Sequence, residues 1–155
     1  MEIESDPTFL DIGDNTALVC VDHQQYQKIV VPQLIDLGYK VHLGLFEEDV
    51  ILKLQTYNYD VVVVYENFKE STAETNPVLR ALSRCPDARR REHFVVLLSH
   101  RFATNDAMGA FVQSVDQIIN ISDLGNFKPI VRRGAVQHRE LYHSFNEMVK
   151  TVQSL

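Results

Sequence analysis

Five apolar runs of strand length recur along the chain: TALVCV (16–21), KVHLGLF (40–46), DVVVVY (60–65), HFVVLLS (93–99) and QIINI (117–121). Between them the apolar positions shift to spacings of three and four. That change of period predicts helices over 24–37, 47–57, 77–85, 105–114 and 126–152. Local punctuation supports these boundaries. Asn76-Pro77 reads as an N-cap followed by proline at the first helical position. Gly38 follows LIDL as a helix stop. Glu47, Glu48 and Asp49 place negative charge on a first turn, where the helix dipole favours it. Thr104 or Asn105 caps the fourth predicted helix, with Asp106 in its first turn.

Strands alternating with helices predict a parallel sheet covered on both faces. VVVV and FVVLL are apolar at every position, as strands buried on both sides must be, whereas KVHLGLF reads as a strand nearer an edge. The fold class expected is α/β: a flavodoxin-like, doubly wound five-stranded parallel sheet of order 2-1-3-4-5, with an extended C-terminal helix. Residues 1–15 carry five acids (Glu2, Glu4, Asp6, Asp11, Asp14) and no base, and read as an acidic lead-in to one domain over 16–155.

Composition narrows the function classes. The formal charge of −6 argues against general nucleic-acid binding, which needs a basic face to displace counterions. No apolar run approaches the roughly 20 residues that span a bilayer, and the N-terminus lacks the basic and apolar regions of a secretory signal. Cys20 lies in an apolar run and Cys85 at a helix end, with no CxxC pair, so a reducing, cytoplasmic setting is expected and no metal cluster. CPDARRREHF is read as a solvated basic loop before the fourth strand, carrying Arg89, Arg90 and Arg91.

In sheets of this kind function gathers at the carboxyl ends of the strands. There the chain presents Asp22 and His23, Tyr65 and Glu66, Ser99 and His100, and Ile121 and Ser122. The order and spacing of these residues resemble the receiver domain of bacterial response regulators over about residues 16–140. That family's pattern is an acidic pair after strand one, a phosphoacceptor aspartate after strand three, a hydroxyl after strand four, and a lysine followed by proline after strand five. VCVDHQ keeps Asp22 and has His23 at the second acid. YDVVVVYENF places Tyr65 at the aspartate. LLSHRF keeps Ser99, and VDQIINIS has Ile121 at the lysine and Ser122 at the proline, with Ile118 at the switch aromatic.

The resemblance implies a degenerate phosphorylation pocket made of Asp22, His23, Tyr65, Glu66, Ser99 and Ile121. Phosphoryl transfer needs a carboxylate nucleophile, a metal held by oxygen ligands and a cation on the transferred oxygens. A phenol is neutral near pH 7, imidazole is a poor magnesium ligand, and isoleucine brings no charge. A one-residue register slip in the valine run brings Glu66 toward the pocket, but strand alternation points it elsewhere. No nucleophile–base pair emerges, so no enzymatic activity, metal or cofactor is expected. The reading is a phosphorylation-independent, receiver-like signalling module that binds other proteins. The alternative is a small-ligand sensor using the carboxyl-edge pocket around Asp22 and Tyr65.

The C-terminal segment supplies a surface. Val131, Ala135, His138, Tyr142, Phe145, Val149 and Val152 follow spacings of 4, 3, 4, 3, 4, 3, a heptad-like seam widened by Ile130, Gly134, Leu141 and Met148. A helix over 126–152 is about 40 Å long, against about 17 Å for a five-residue strand, so its second half overhangs the sheet. The acidic lead-in, with Ile3, Phe9, Leu10 and Ile12, is one cover for that stripe; a second copy is the other and the one expected. The fourth predicted helix is apolar on more than one face. A homodimer through Met108, Phe111, Val112, Tyr142, Phe145 and Val149 is the expected assembly, with a further protein partner that no residue pattern identifies.

Overall fold

Each strand's alternating side chains feed two separate cores. On one face Ala17, Val19, Val61, Val63, Val96, Leu98 and Ile119 pack together; on the other Leu18, Cys20, Val62, Val64, Val95, Leu97 and Ile118 do so. The structure is a computed structural model describing residues 15–154, without the side chains of residues 87 and 88. The expected acidic lead-in, apart from Asn15, lies outside the described residues, and so do the side chains proposed to cover the C-terminal stripe from there.

The strands are β1 (Thr16–Cys20), β2 (Lys40–Leu43), β3 (Val61–Tyr65), β4 (Phe94–Ser99) and β5 (Gln117–Asn120). All neighbours pair in parallel, in the order β2-β1-β3-β4-β5. This is the doubly wound topology expected, with KVHL at one edge. Because both faces are covered, the central strands β3 and β4 do not alternate apolar with polar and read as solid hydrophobic blocks, whereas the edge strand KVHL does alternate. The valine run takes one register throughout, Val61↔Phe94 to Tyr65↔Leu98, with no slip.

The helices are α1 (Gln24–Asp36), α2 (Glu47–Thr56), α3 (Pro77–Ser83), α4 (Asp87–Glu92), α5 (Ala107–Gln113) and α6 (Phe127–Gln153). Helices α1 and α6 cover the first core, through Val30, Val31, Leu34, Phe127 and Val131; α2, α3 and α5 cover the second, through Val50, Leu54, Val78, Leu82 and Ala110. Gly38, at φ 95°, ends α1 in a conformation that favours glycine. Gly134 sits inside α6 because a Cβ there would come within 2.7 Å of the Phe94 ring and of Gln117 Oε1. That close approach seats the first half of α6 on β4 and β5.

Two local expectations are corrected. The segment around Arg89–Arg91 is a short helix, α4, rather than a loop, and its arginines are engaged. Arg89 Nη2 donates to the Gln55 carbonyl at the end of α2 (2.9 Å). Arg90 holds the Ser114 carbonyl and the Asp116 carboxylate (3.0 and 3.1 Å), and Arg91 lies 4.4 Å over the Phe145 ring. The cap of α5 is Asp106, whose Oδ1 accepts from the Gly109 N–H (2.9 Å), and not Thr104 or Asn105. Asn105 instead turns into the left-handed region (φ 64°), which moves the helix start on by one residue.

Candidate functional site

Strand parity decides where the edge residues point. Tyr65 shares a face with Val61 and Val63, so its ring turns toward α1 and is buried in the first core. It meets Tyr26 edge-on at 5.5 Å between centroids, and the His23 and His100 rings stand 6.2 and 5.7 Å away. The Tyr65 hydroxyl is hydrogen-bonded to His100 Nε2 at 2.8 Å. Burial, reinforced by Tyr26, Glu66 and Asp22, holds the Tyr65 phenol above its ordinary pKa and therefore neutral.

The other edge residues are each committed to a structural bond. His23 caps α1, its Nδ1 accepting from the Tyr26 N–H at 3.4 Å while the two rings stack 3.7 Å apart. Asp22 Oδ2 accepts from the Lys69 N–H at 2.9 Å. This bond holds the loop after β3 where Lys69 and Glu70 both take positive φ (55° and 60°), a conformation that costs a non-glycine residue about 1–2 kcal/mol. Ser99 is fully buried, and its Oγ accepts from the N–H groups of Arg101 and Phe102 (3.0 and 3.1 Å). Ile121 packs against the α1/α6 core and Ile118 is buried in the other.

Glu66 falls on the opposite face from Tyr65 and is buried. Its Oε2 accepts from the His100 N–H at 2.7 Å and its Oε1 lies 3.6 Å from Arg101 Nε. One carboxylate thus ties the end of β3 to the loop after β4. Among the described residues no group of three His, Cys, Asp or Glu side chains is placed to hold a metal ion. What the edge offers chemically is a phenol–imidazole hydrogen bond inside an aromatic cluster, with its carboxylates and hydroxyl bonded to backbone N–H groups.

The roles of two residues of this edge are not legible in the sequence. Tyr26 stands three residues after His23, a helical spacing that puts both on one face. From the sequence Asn76 reads only as a cap. Its Oδ1 does accept from the Val78 and Leu79 N–H groups, but its Nδ2 also donates to the carbonyls of Tyr65 (2.8 Å) and Glu66 (3.1 Å).

Cavities lie elsewhere among the described residues. One of about 800 Å³ runs between α5, β5 and α6, one of about 290 Å³ lies beneath α6 beside Tyr59 and Tyr142, and one of about 310 Å³ lies between α2, α3 and α4. None of these three is lined by Asp22, His23, Tyr65 or Ser99. The residues expected at an interface divide. Met108, Phe111 and Val112 on α5 are 71, 81 and 64% exposed. Tyr142 and Val149 are half-buried, and Phe145 is partly covered by Arg91. On the overhanging half of α6 the most exposed apolar side chains are Leu141 and Met148 (71 and 67%). Among the described residues no helix is long and apolar enough to cross a membrane.

No protein-family model and no curated protein matches the sequence. Solved structures do resemble the fold. A putative response regulator from Chloroflexus aurantiacus superposes with a TM-score of 0.63 at 11% identity, covering 79% of this chain and 98% of that one. The receiver domain of the sensor histidine kinase PA1611 from Pseudomonas aeruginosa, described with magnesium coordinated in its active site cleft, gives 0.61 at 15% identity over 79% and 98%. A structure described as the trimeric coiled coil of yeast Spc42, amino acids 181-211, fused to another structure gives 0.63 at 16% identity over 94% and 93%. At these identities the likeness is one of fold: the chain has the receiver-domain fold, carried on a long C-terminal helix.

Proposed function

We propose that this chain is a receiver-like signalling module that acts without being phosphorylated and without catalysis of its own, through contacts with other proteins. One observation carries the reading: Tyr65 stands where the resemblance puts the phosphoacceptor carboxylate, with its ring packed in the core and its hydroxyl bonded to His100. A neutral, buried phenol offers no nucleophile to a phosphoryl donor and no charge to a magnesium ion. The remaining groups argue the same way. Asp22 Oδ2 and Ser99 Oγ accept from loop N–H groups, and Ile121 supplies no cation for a transferred phosphoryl group.

Output through protein contacts is supported by the exposed apolar side chains of α5 and of the overhanging half of α6. Water-facing Met108, Phe111, Val112, Leu141 and Met148 are what an interface buries. The partner in this reading is a second copy of the chain, with α5 and α6 in the interface.

The experiment is a titration with Mg²⁺ and beryllofluoride, a phosphoryl mimic, followed by two-dimensional NMR. The expected result is no saturable shift at the amides around Asp22 and Ser99. Saturable shifts centred there would restore a phosphorylation mechanism and overturn the reading.

A further inference from the structure

At the corner where α2, α3 and α4 meet, the cavity of about 310 Å³ has, among the described residues, three arginines on its walls, Arg80, Arg84 and Arg89, and one acid, Glu47. Among the described residues the local excess is two positive charges, in a chain whose formal charge is −6. Arg80 and Arg84 stand four residues apart at the end of α3, so they share a face and repel each other. Both are exposed, and among the described residues neither guanidinium has a hydrogen bond or ion pair. The dipole of so short a helix accounts for one cation at its end, not for two with a third opposite.

Arg89 is held differently. Its Nη2 is anchored on the Gln55 carbonyl at 2.9 Å, which fixes the guanidinium in place. Its Nε–H is buried and has no acceptor among the described residues. A buried donor without an acceptor is a defect that native folds rarely tolerate unless something supplies the acceptor. Arg90 and Arg91 are engaged within the chain, so of the RRR run only Arg89 reaches this cavity.

We propose that this corner binds a small phosphorylated compound. Guanidinium forks match phosphate oxygens in bidentate pairs, and a dianion between Arg80 and Arg84 turns their repulsion into two attractions. The volume is at the lower end for small-ligand sites, which suits a compact anion. Ile51 and Leu54 line the same cavity and give the organic part an apolar surface. No aromatic side chain lines it, so the stacking platform that single-stranded nucleic acid uses is missing among the described residues.

The test titrates the full chain with sodium pyrophosphate and with ADP at constant ionic strength, followed by NMR and calorimetry. Saturable shifts centred on Arg80, Arg84 and Arg89 are expected, with ADP binding at least as tightly as pyrophosphate. The Arg80→Ala/Arg84→Ala variant should bind about tenfold more weakly or worse. Arg80→Lys/Arg84→Lys keeps the charge but loses the forks, and should also weaken binding. Both side chains are exposed, so circular dichroism should match the parent protein; should the alanine pair fail to fold, the lysine pair and the location of the parent shifts decide. Shifts that never saturate, that centre elsewhere, or that are equal in parent and lysine variant would overturn the proposal.

Discussion

The Tyr65 hydroxyl and His100 Nε2 lie 2.8 Å apart, so a hydrogen bond between the ends of β3 and β4 closes the edge where receiver domains carry their chemistry. Removing that hydroxyl tests the bond without disturbing the packing. Tyr65→Phe should cost about 0.5–1.5 kcal/mol in urea unfolding, the net worth of one intramolecular hydrogen bond. Tyr65→Asp is harsher. It removes the ring from Tyr26 and sets a new carboxylate near Glu66 and Asp22, and should cost about 3–5 kcal/mol, the range for deleting a buried aromatic. Even so, Tyr65→Asp should not gain a phosphoryl group from acetyl phosphate and Mg²⁺ by intact-protein mass, because Ile121 still provides no cation and Asp22 stays bound to the Lys69 N–H.

Asn76 is the second point of stress. Its amide joins the carbonyls of Tyr65 and Glu66 to the first turn of α3, all in a buried setting. Asn76→Ala should cost about 2–4 kcal/mol: about one for the lost cap and the rest for two carbonyls left without their donor. Asn76→Asp restores the cap acceptor but not the donor, so it should recover only the smaller part. An aspartate variant as stable in urea as the parent would show that the carbonyl contacts contribute nothing.

Much of this architecture is legible along the chain, and the limit is set by distance in sequence. Strand runs, the Asn76-Pro77 helix start and the Gly38 stop are signals within a few residues, and they place the sheet order and most boundaries. The overhang of α6 follows from its length alone. The bonds that define the edge are not local: Tyr65 meets His100 across 35 positions, and Asp22 meets Lys69 across 47. The α4 helix is missed because three consecutive arginines read as solvated charge, while each finds its partner on a different distant element. The α5 cap is off by one because the left-handed turn at Asn105 leaves no mark that separates it from a cap.

His93 makes stability depend on pH. It is buried, with Nδ1 bonded to the Tyr59 carbonyl at 2.7 Å, and burial, helped by Arg90 and Arg89, pushes its pKa below the ordinary 6.5. The folded imidazole therefore stays neutral at a pH where the unfolded one takes a proton. Above about pH 6.5 both states are neutral and His93 adds no slope. As pH falls below that value the unfolded state binds the extra proton, and stability should drop by up to about 1.4 kcal/mol per pH unit. Urea unfolding at pH 8, 6.5 and 5.5 should give a steeper loss in the parent than in His93→Gln. Parallel slopes would assign the acid sensitivity to other groups.

The exposed faces of α5 and α6 predict the assembly. Phe111 at 81% and Leu141 at 71% exposure face water on two helices that flank the same groove beside β5. Burying such side chains contributes about 1.5–3 kcal/mol each, and a symmetric contact buries every one of them twice, which offsets part or all of the cost of association. Light scattering at tens of micromolar should therefore report a dimer. Phe111→Glu and Leu141→Glu, each on a surface that makes no core contact, should shift the chain to monomer with unchanged helix content. The second substitution separates two geometries: loss of the dimer with Leu141→Glu alone places distal α6 in the seam, whereas a response to Phe111→Glu alone confines the contact to α5. A monomeric parent protein at that concentration would remove self-association and leave both faces to a different partner.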